Sequence, residues 1–186
     1  MGKSTTAQMF RDAGVPVWDA DAAVHALYAE GGAAVAPLAA AFPGAGIGPA
    51  VDRGTLKRLI DADPAALARI ESVVHPLVSA ERAAFLAAAA HDGADLVVLD
   101  IPLLFETGAE GQMDAVLVVS APTEVQRARV MARPGMTEDL LATILARQMP
   151  DADKRARADY VIETLTLDQT RAAVAALIDQ IRARHA

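Results

Sequence analysis

The chain has 186 residues, a net charge of −7 at pH 7 and no cysteine. The length predicts one domain with a sizeable core, and the missing cysteine excludes disulfides and thiolate-bound metals. The acidic balance argues against a general nucleic-acid-binding protein. Because the sequence has no strictly apolar run of about twenty residues and no leader pattern, we expect a cytoplasmic protein that does not span a membrane.

Short apolar runs predict four strands, which lie among helical patterns. The strands are predicted over 15–18, 95–102, 114–122 and 159–164. The helices are predicted over 5–13, 22–30, 55–60, 64–91 (interrupted near 75–76), 123–133, 136–149 and 167–185. Strands that alternate with helices predict an α/β fold whose parallel sheet carries helices on both faces. The helical stretch at about 26–88 interrupts this alternation and predicts an insertion.

The residues Gly2, Lys3, Ser4 and Thr5 match the last positions of the phosphate-binding pattern G-x-x-x-x-G-K-[ST] and precede a predicted helix. In such a loop, backbone N–H groups surround the phosphates, lysine offsets their charge and the Ser/Thr hydroxyl binds Mg²⁺. The alternative is a lysine that stands at an ordinary helix start by chance.

Carboxylates follow the first two predicted strands, at the edge of an open sheet where ligands bind. Asp19 and Asp21 follow the first strand. Asp21 is a candidate base that accepts the proton of an attacking hydroxyl, and the alternative is that it caps the next helix. Asp100 ends an apolar strand, a Walker-B-like pattern that indicates a Mg²⁺ ligand.

The loop after Asp100 carries apolar residues and one further acid. Leu103, Leu104 and Phe105 are candidates for an apolar wall of a binding site, and Glu106 is a candidate to bind a substrate hydroxyl. The alternative is an ordinary exit from a strand, with buried apolar side chains.

Residues 127–157 hold seven basic and four acidic residues, a local excess of positive charge in an acidic protein. Arg129 and Arg133 lie four residues apart on one helix face, and Arg147 ends the following helix. Guanidinium groups bind phosphate bidentately and stabilise charge on transferring oxygens. The alternative is a solvated helical face.

Taken in order, these pieces resemble the dephospho-CoA kinase family over essentially the whole chain. The resemblance rests on GKST at 2–5, DAD at 19–21, His-Pro at 75–76, DIPLLFETG at 100–108, Gln126-x-x-Arg129, Arg147-Gln148 and ADYVIET at 158–164. It implies a P-loop NTPase fold with three α/β/α layers and a five-stranded parallel sheet. It also implies transfer of a phosphoryl group from ATP, with Mg²⁺, to the ribose 3′-hydroxyl of dephospho-CoA, in a monomer or weak homo-oligomer.

The resemblance also implies roles for individual residues. Asp21, Lys3 and Arg129 would be catalytic. ATP would be bound by Gly2, Lys3, Ser4, Thr5, Arg129, Arg133 and Arg147. Dephospho-CoA would be bound by Asp21, His75, Pro76, Leu103, Leu104, Phe105 and Glu106. Ser4 and Asp100 would bind Mg²⁺, and for His75 the alternative is capping of a helix break.

The same resemblance predicts three parts within a single kinase domain. A core would comprise about 1–25, 89–132 and 158–186, a helical CoA-binding insertion about 26–88, and a lid about 133–157. Three further readings stay open at this point: another small-molecule P-loop kinase, a nucleotide-binding protein that transfers no phosphate, or a degenerate fragment without function.

The start of the chain departs from the resemblance, because roughly ten residues of the expected strand and glycine loop do not precede Gly2. We therefore expect Met1 to be an internal methionine taken as the start. In-frame codons upstream of Met1 should encode an apolar strand and a glycine-rich loop, which the genomic sequence checks. A stop codon immediately upstream would contradict this expectation.

Overall fold

The computed structural model describes residues 2–185, apart from the side chains of Arg147 and His185. The helices are α1 (Lys3–Asp12), α2 (Ala20–Tyr28), α3 (Val35–Ala41), α4 (Arg53–Ala62), α5 (Ala65–His91), α6 (Thr123–Met131), α7 (Glu138–Arg147), α8 (Asp151–Arg157) and α9 (Leu167–His185). The strands are β1 (Val17–Asp19), β2 (Val98–Asp100), β3 (Leu117–Ser120) and β4 (Tyr160–Glu163). A single 3-10 turn occupies Ala109–Gln112 in this described part.

The four predicted strands are confirmed, although each is shorter than or displaced from its apolar run. β1 pairs with β2, and β3 pairs with β4 in parallel, with Leu117 opposite Tyr160. In place of the single predicted sheet, the described structure has two separate pairs of strands. Backbone hydrogen bonds join only adjacent strands, and no strand within residues 2–185 is bonded to both pairs.

The chain divides into two compact units, of which the first comprises Met1–Val17 and Asp100–Ala186. In this unit α9 packs against α1 and β4, and α8 packs against β3. Phe10, Val118, Ile162 and Val174 are among its buried apolar residues. Because β3 and β4 alternate between buried and more exposed positions, one face of this strand pair lies in the core.

The second unit, Trp18–Leu99, is mostly helical. Its core includes Leu27, Leu38, Ile70 and Val74, where α2, α3 and α4 pack against α5. The prediction of a helix break near His75-Pro76 is wrong, because α5 continues through Pro76. An interior proline costs about 3 kcal/mol, and the burial of Ile70 and Val74 just before it offsets that cost.

Among the described helices, α5 alone is long and apolar enough to cross a membrane by length and composition. Only 11% of that stretch is buried inside the described structure. Glu81 and Arg82 interrupt the apolar stretch, and Glu81 accepts a hydrogen bond from the indole N–H of the buried Trp18.

Candidate active site

The first turn of α1 begins from a glycine whose backbone is left-handed. Gly2 has φ +93°, and its carbonyl accepts a hydrogen bond from the Thr6 N–H at 2.8 Å. A Cβ at this position would lie 3.1 Å from both Cγ2 and Oγ1 of Thr164. Glycine is thus required both by the backbone conformation and by the close approach of Thr164. The early N–H groups of α1 have no partner inside the helix, which suits an anion.

Lys3 and Asp100, both predicted site residues, form an ion pair between Nζ and Oδ1. The Asp100 side chain is only 5% exposed, whereas that of Lys3 is 46% exposed. The buried carboxylate therefore fixes the ammonium group at the start of α1. The two residues are 97 positions apart, and the sequence predicts each of them but not their contact.

A cavity of about 300 Å³ opens at this end of α1. Four of its lining residues are predicted from the sequence to bind nucleotide: Gly2, Thr5, Arg129 and Arg133. The others, which the sequence does not single out, are Thr6, Thr164, Leu165, Thr166, Leu167 and Thr170. Thr6 lies in α1, and the rest belong to the stretch at 164–170 that follows the last strand. This position could have indicated them, because ligands bind beyond the carboxyl ends of strands.

Arg129 is held in this cavity by neutral partners. Its Nη1 donates to Thr164 Oγ1 at 3.1 Å, and its Nη2 donates to the Leu165 carbonyl at 3.2 Å. Neither Arg129 nor Arg133 forms a salt bridge to a carboxylate within residues 2–185. Their positive charges are thus left for a bound anion. The predicted role of Arg147 rests on a side chain that lies outside the described part.

The loop after β2 does not form one apolar wall. Phe105 is buried with Val116 and Val118, whereas Leu103 is 45% exposed. Leu103 also adopts φ +56°, and a left-handed conformation costs a non-glycine residue about 1–2 kcal/mol. The Thr107 N–H and hydroxyl both donate to the Leu103 carbonyl, at 3.0 Å each, and hold this turn.

Glu106 is engaged by the chain itself. Its Oε1 accepts from Lys154 Nζ at 2.7 Å and from the Met149 N–H at 2.9 Å. Burial raises the pKa of the Glu106 carboxyl, but the hydrogen bonds from Lys154 and Met149 outweigh burial, so the net pKa is lowered. The predicted contact of Glu106 with a substrate hydroxyl stays a prediction.

In the second unit, Asp19 takes the capping role that the sequence left open for Asp21. Asp19 Oδ1 accepts from the Ala22 N–H at 2.9 Å and caps α2. Asp21 is exposed in the first turn of α2 and forms no side-chain hydrogen bond or salt bridge with the rest of the described chain. Its carboxylate therefore remains available to a substrate.

His75 and Pro76 are both exposed on α5. The alternative that His75 caps a helix break is wrong, because α5 has no break at that point. Tyr28, on α2, is half-buried. Burial raises the pKa of its phenol and the nearby charge of Arg53 opposes the shift, which leaves the pKa raised.

Within residues 2–185, no cluster of three or more His, Cys, Asp or Glu side chains is arranged to hold a metal ion. A divalent cation at this site would have to be bound by one or two protein oxygens together with phosphate and water, which is how Mg²⁺ is commonly bound. Ser4 and Asp100 supply oxygen ligands of this type.

The chain is similar to known proteins over nearly its whole length. A sequence model of the dephospho-CoA kinase family matches residues 1–168. The dephospho-CoA kinase of Cereibacter sphaeroides is 62% identical over 182 residues, which cover 98% of this chain and 91% of that protein. The dephospho-CoA kinase of Ruegeria pomeroyi is 60% identical over 183 residues, with the same two coverages.

Two solved structures are also similar. The Thermus thermophilus protein TT1252 aligns with a TM-score of 0.75 and 40% identity, over 96% of this chain and 91% of that one. The dephospho-CoA kinase of Campylobacter jejuni aligns with a TM-score of 0.66 and 21% identity, over 97% and 91% of the two chains, and supports the fold.

Gly2 is restricted both by its positive φ and by the close approach of Thr164, so we expect Gly2→Ala to weaken nucleotide binding and Gly14→Ala to leave it unchanged. Gly14 also has a positive φ of +80°, but no atom lies within 4 Å of its Cβ position. Both changes should destabilise the fold by about 1 kcal/mol through the positive φ, and Gly2→Ala should destabilise it further because Thr164 must also shift. Only Gly2→Ala should weaken binding of a non-hydrolysable nucleoside triphosphate, by about tenfold in titration calorimetry. Equal affinities in the two variants would contradict the placement of phosphate at Gly2.

Proposed function

Because the chain belongs to the dephospho-CoA kinase family, we propose how its residues divide the work of that reaction. The protein is a transferase that uses ATP to phosphorylate the ribose 3′-hydroxyl of dephospho-CoA, giving CoA and ADP in the last step of coenzyme A synthesis. The observation that carries the proposal is the cavity at the start of α1, lined by two arginines that have no carboxylate partner in the described chain.

ATP occupies this cavity in the proposal. The N–H groups at the start of α1 face its phosphates, and Gly2 lets the phosphates approach the backbone. Lys3, Ser4 and Thr5 complete the contact, and Lys3 brings a positive charge that Asp100 holds in place. Arg129 and Arg133 offset the remaining phosphate charge.

Arg129 is the arginine best prepared to act on the transferred group. Its contacts with Thr164 and Leu165 restrict the guanidinium before any ligand arrives. Donors that are already oriented stabilise charge in a transition state without a further cost of reorganisation. Arg147, at the end of α7, would add a second guanidinium from the lid.

Asp21 is the base in the proposal. Its carboxylate accepts the proton of the ribose 3′-hydroxyl while that oxygen forms a bond to the γ-phosphorus and the bond to the bridging β–γ oxygen breaks. ADP leaves with the electron pair of the broken bond. The capping of α2 by Asp19 frees Asp21 for this role. His75, Pro76, Leu103 and Leu104 would contact dephospho-CoA, and the buried Phe105 would support that loop.

Magnesium fits the oxygen ligands at the start of the site. The Ser4 hydroxyl and the Asp100 carboxylate would hold the ion, which needs only one or two protein ligands beside phosphate and water. When bound, the ion offsets negative charge on the phosphate oxygens. Lys3 shares the Asp100 carboxylate and keeps its charge balanced.

The three functional parts remain those expected from the sequence: a nucleotide-binding core, a helical CoA-binding insertion at about 26–88 and a lid at about 133–157. The division of the chain into Trp18–Leu99 and the rest supports an insertion of roughly this extent. We also propose that the protein works as a monomer or weak homo-oligomer, without nucleic-acid or membrane partners.

The assignment of the base predicts that Asp21→Asn lowers kcat by about 10²- to 10⁴-fold, because an amide cannot accept the proton. ATP affinity should change little. Asp19→Asn is the matched control, since asparagine caps helices as well as aspartate does. Steady-state kinetics of the protein and its two variants, with ATP and dephospho-CoA as substrates, would check this assignment of the base. A kcat that falls equally in both variants would show that the two changes act through structure.

A further inference from the structure

We infer that Glu106 is a positioning residue that fixes the end of the lid helix α7, rather than a ligand of dephospho-CoA. The inference rests on the proposed function, in which Arg147 at the end of α7 binds phosphate. It differs from the role that the sequence predicts for Glu106, which is contact with a substrate hydroxyl.

One carboxylate oxygen of Glu106 binds two groups that follow α7. Oε1 accepts from the Met149 N–H at 2.9 Å and from Lys154 Nζ at 2.7 Å. The side chains of Glu106 and Lys154 are only 16% and 21% exposed, so water screens their attraction little. The other oxygen, Oε2, is buried and meets no donor in the described part of the chain. Oε1 is thus committed to the chain, and Oε2 is shielded from solvent.

The end of α7 leaves the Met149 N–H free for this contact. Gln148 ends the helix in an extended conformation, with φ −104° and ψ 143°, so no left-handed residue turns the next N–H back onto the helix. Pro150 follows and has no N–H of its own. Glu106 therefore supplies the acceptor for the backbone donor that the helix end does not use.

Met149 and Arg147 are two residues apart, so the anchor limits where the Arg147 backbone can lie. Two residues of extended chain span at most about 7 Å. With Met149 fixed to Glu106, the Cα of Arg147 stays within that distance of the anchored residue. When Glu106 is removed, the same backbone is still restrained through α7, where Glu138 pairs with Arg127 of α6, and through the attachments of α8, but the connection between α7 and α8 loses its acceptor.

Besides the ion pair between Lys154 and Glu106, the segment α8 has attachments that do not involve Glu106. Ser120 donates to Asp151 at 2.6 Å at the start of α8. Near its end, Arg157 pairs with Glu110 and lies over the Phe105 ring, 4.9 Å from its centre. Loss of Glu106 should therefore loosen the connection between α7 and α8 while α8 stays attached. Within the proposed lid, α8 at 151–157 is therefore the part that stays attached, and the connection at 148–150 is the part that depends on Glu106.

The experiment compares the steady-state kinetics of the unchanged protein with those of four variants: Glu106→Ala, Glu106→Gln, Lys154→Met and Glu110→Gln. Glu106→Ala should raise the KM for ATP about tenfold and leave the KM for dephospho-CoA within about twofold. Glu106→Gln should recover most of the ATP affinity, because its amide oxygen still accepts the Met149 N–H. Glu110→Gln, which removes a different anchor of α8, should leave both KM values unchanged.

If Glu106→Ala does not fold, Lys154→Met still tests the inference, because this change removes only the ion pair between Lys154 and Glu106. It should raise the KM for ATP less than Glu106→Ala does. A rise confined to the KM for dephospho-CoA, in either variant, would overturn the inference and restore the predicted substrate contact. Unchanged KM values in both folded variants would also overturn it.

A double-mutant cycle with Arg147→Ala separates this inference from the proposed function. If Glu106 acts through Arg147, adding Glu106→Ala to Arg147→Ala should raise the KM for ATP no further. If the increases in the KM for ATP of the two single variants multiply in the double variant, Glu106 does not act through Arg147. If Arg147→Ala alone leaves the KM for ATP unchanged, the role proposed for Arg147 is wrong, whereas a raised KM in Glu106→Ala still supports positioning of the segment.

Discussion

The close packing of Gly2 against Thr164 is the constraint on which the nucleotide site depends. Thr164 is 5% exposed and is fixed to the end of β3, since its N–H donates to the Ser120 carbonyl at 2.8 Å. The same side chain accepts from Arg129. One buried threonine therefore sets the distance between the start of α1 and the guanidinium that faces it. A Cβ at Gly2 would lie 3.1 Å from the Thr164 side chain, so Thr164 would have to shift by a few tenths of an ångström.

The order of the strands and helices is predictable because it depends on local patterns. Thr137, which directly precedes α7, caps that helix by accepting from the Leu140 N–H, a role that depends only on its position in the chain. The continuity of α5 through Pro76 is not predictable in this way, because the packing of Ile70 and Val74 decides it. Tertiary folding likewise brings Lys3 to Asp100 across 97 positions. The sequence predicts the types of residue in the site, but it does not predict their contacts.

The charges of the site show which predicted residues are still available to substrates. Arg129 and Arg133 are not paired with carboxylates in the described chain, whereas Glu106 is occupied by Lys154 and Met149. Asp19 caps α2, so that Asp21 is left exposed. In an acidic protein, unpaired arginines at a cavity favour an anionic ligand. The carboxylates thus divide into those that the chain itself engages and those that stay exposed, a distinction that sequence spacing does not reveal.

The central claim is that this site transfers phosphate from ATP to the 3′-hydroxyl of dephospho-CoA. The most direct measurement incubates the natural protein with ATP and Mg²⁺, offers dephospho-CoA, adenosine or shikimate as the acceptor, and identifies the products by ³¹P NMR. We predict 3′-phosphorylated CoA as the dominant product and little transfer to the other two acceptors. Faster phosphorylation of adenosine or shikimate, or ATP binding without transfer to any acceptor, would contradict the account.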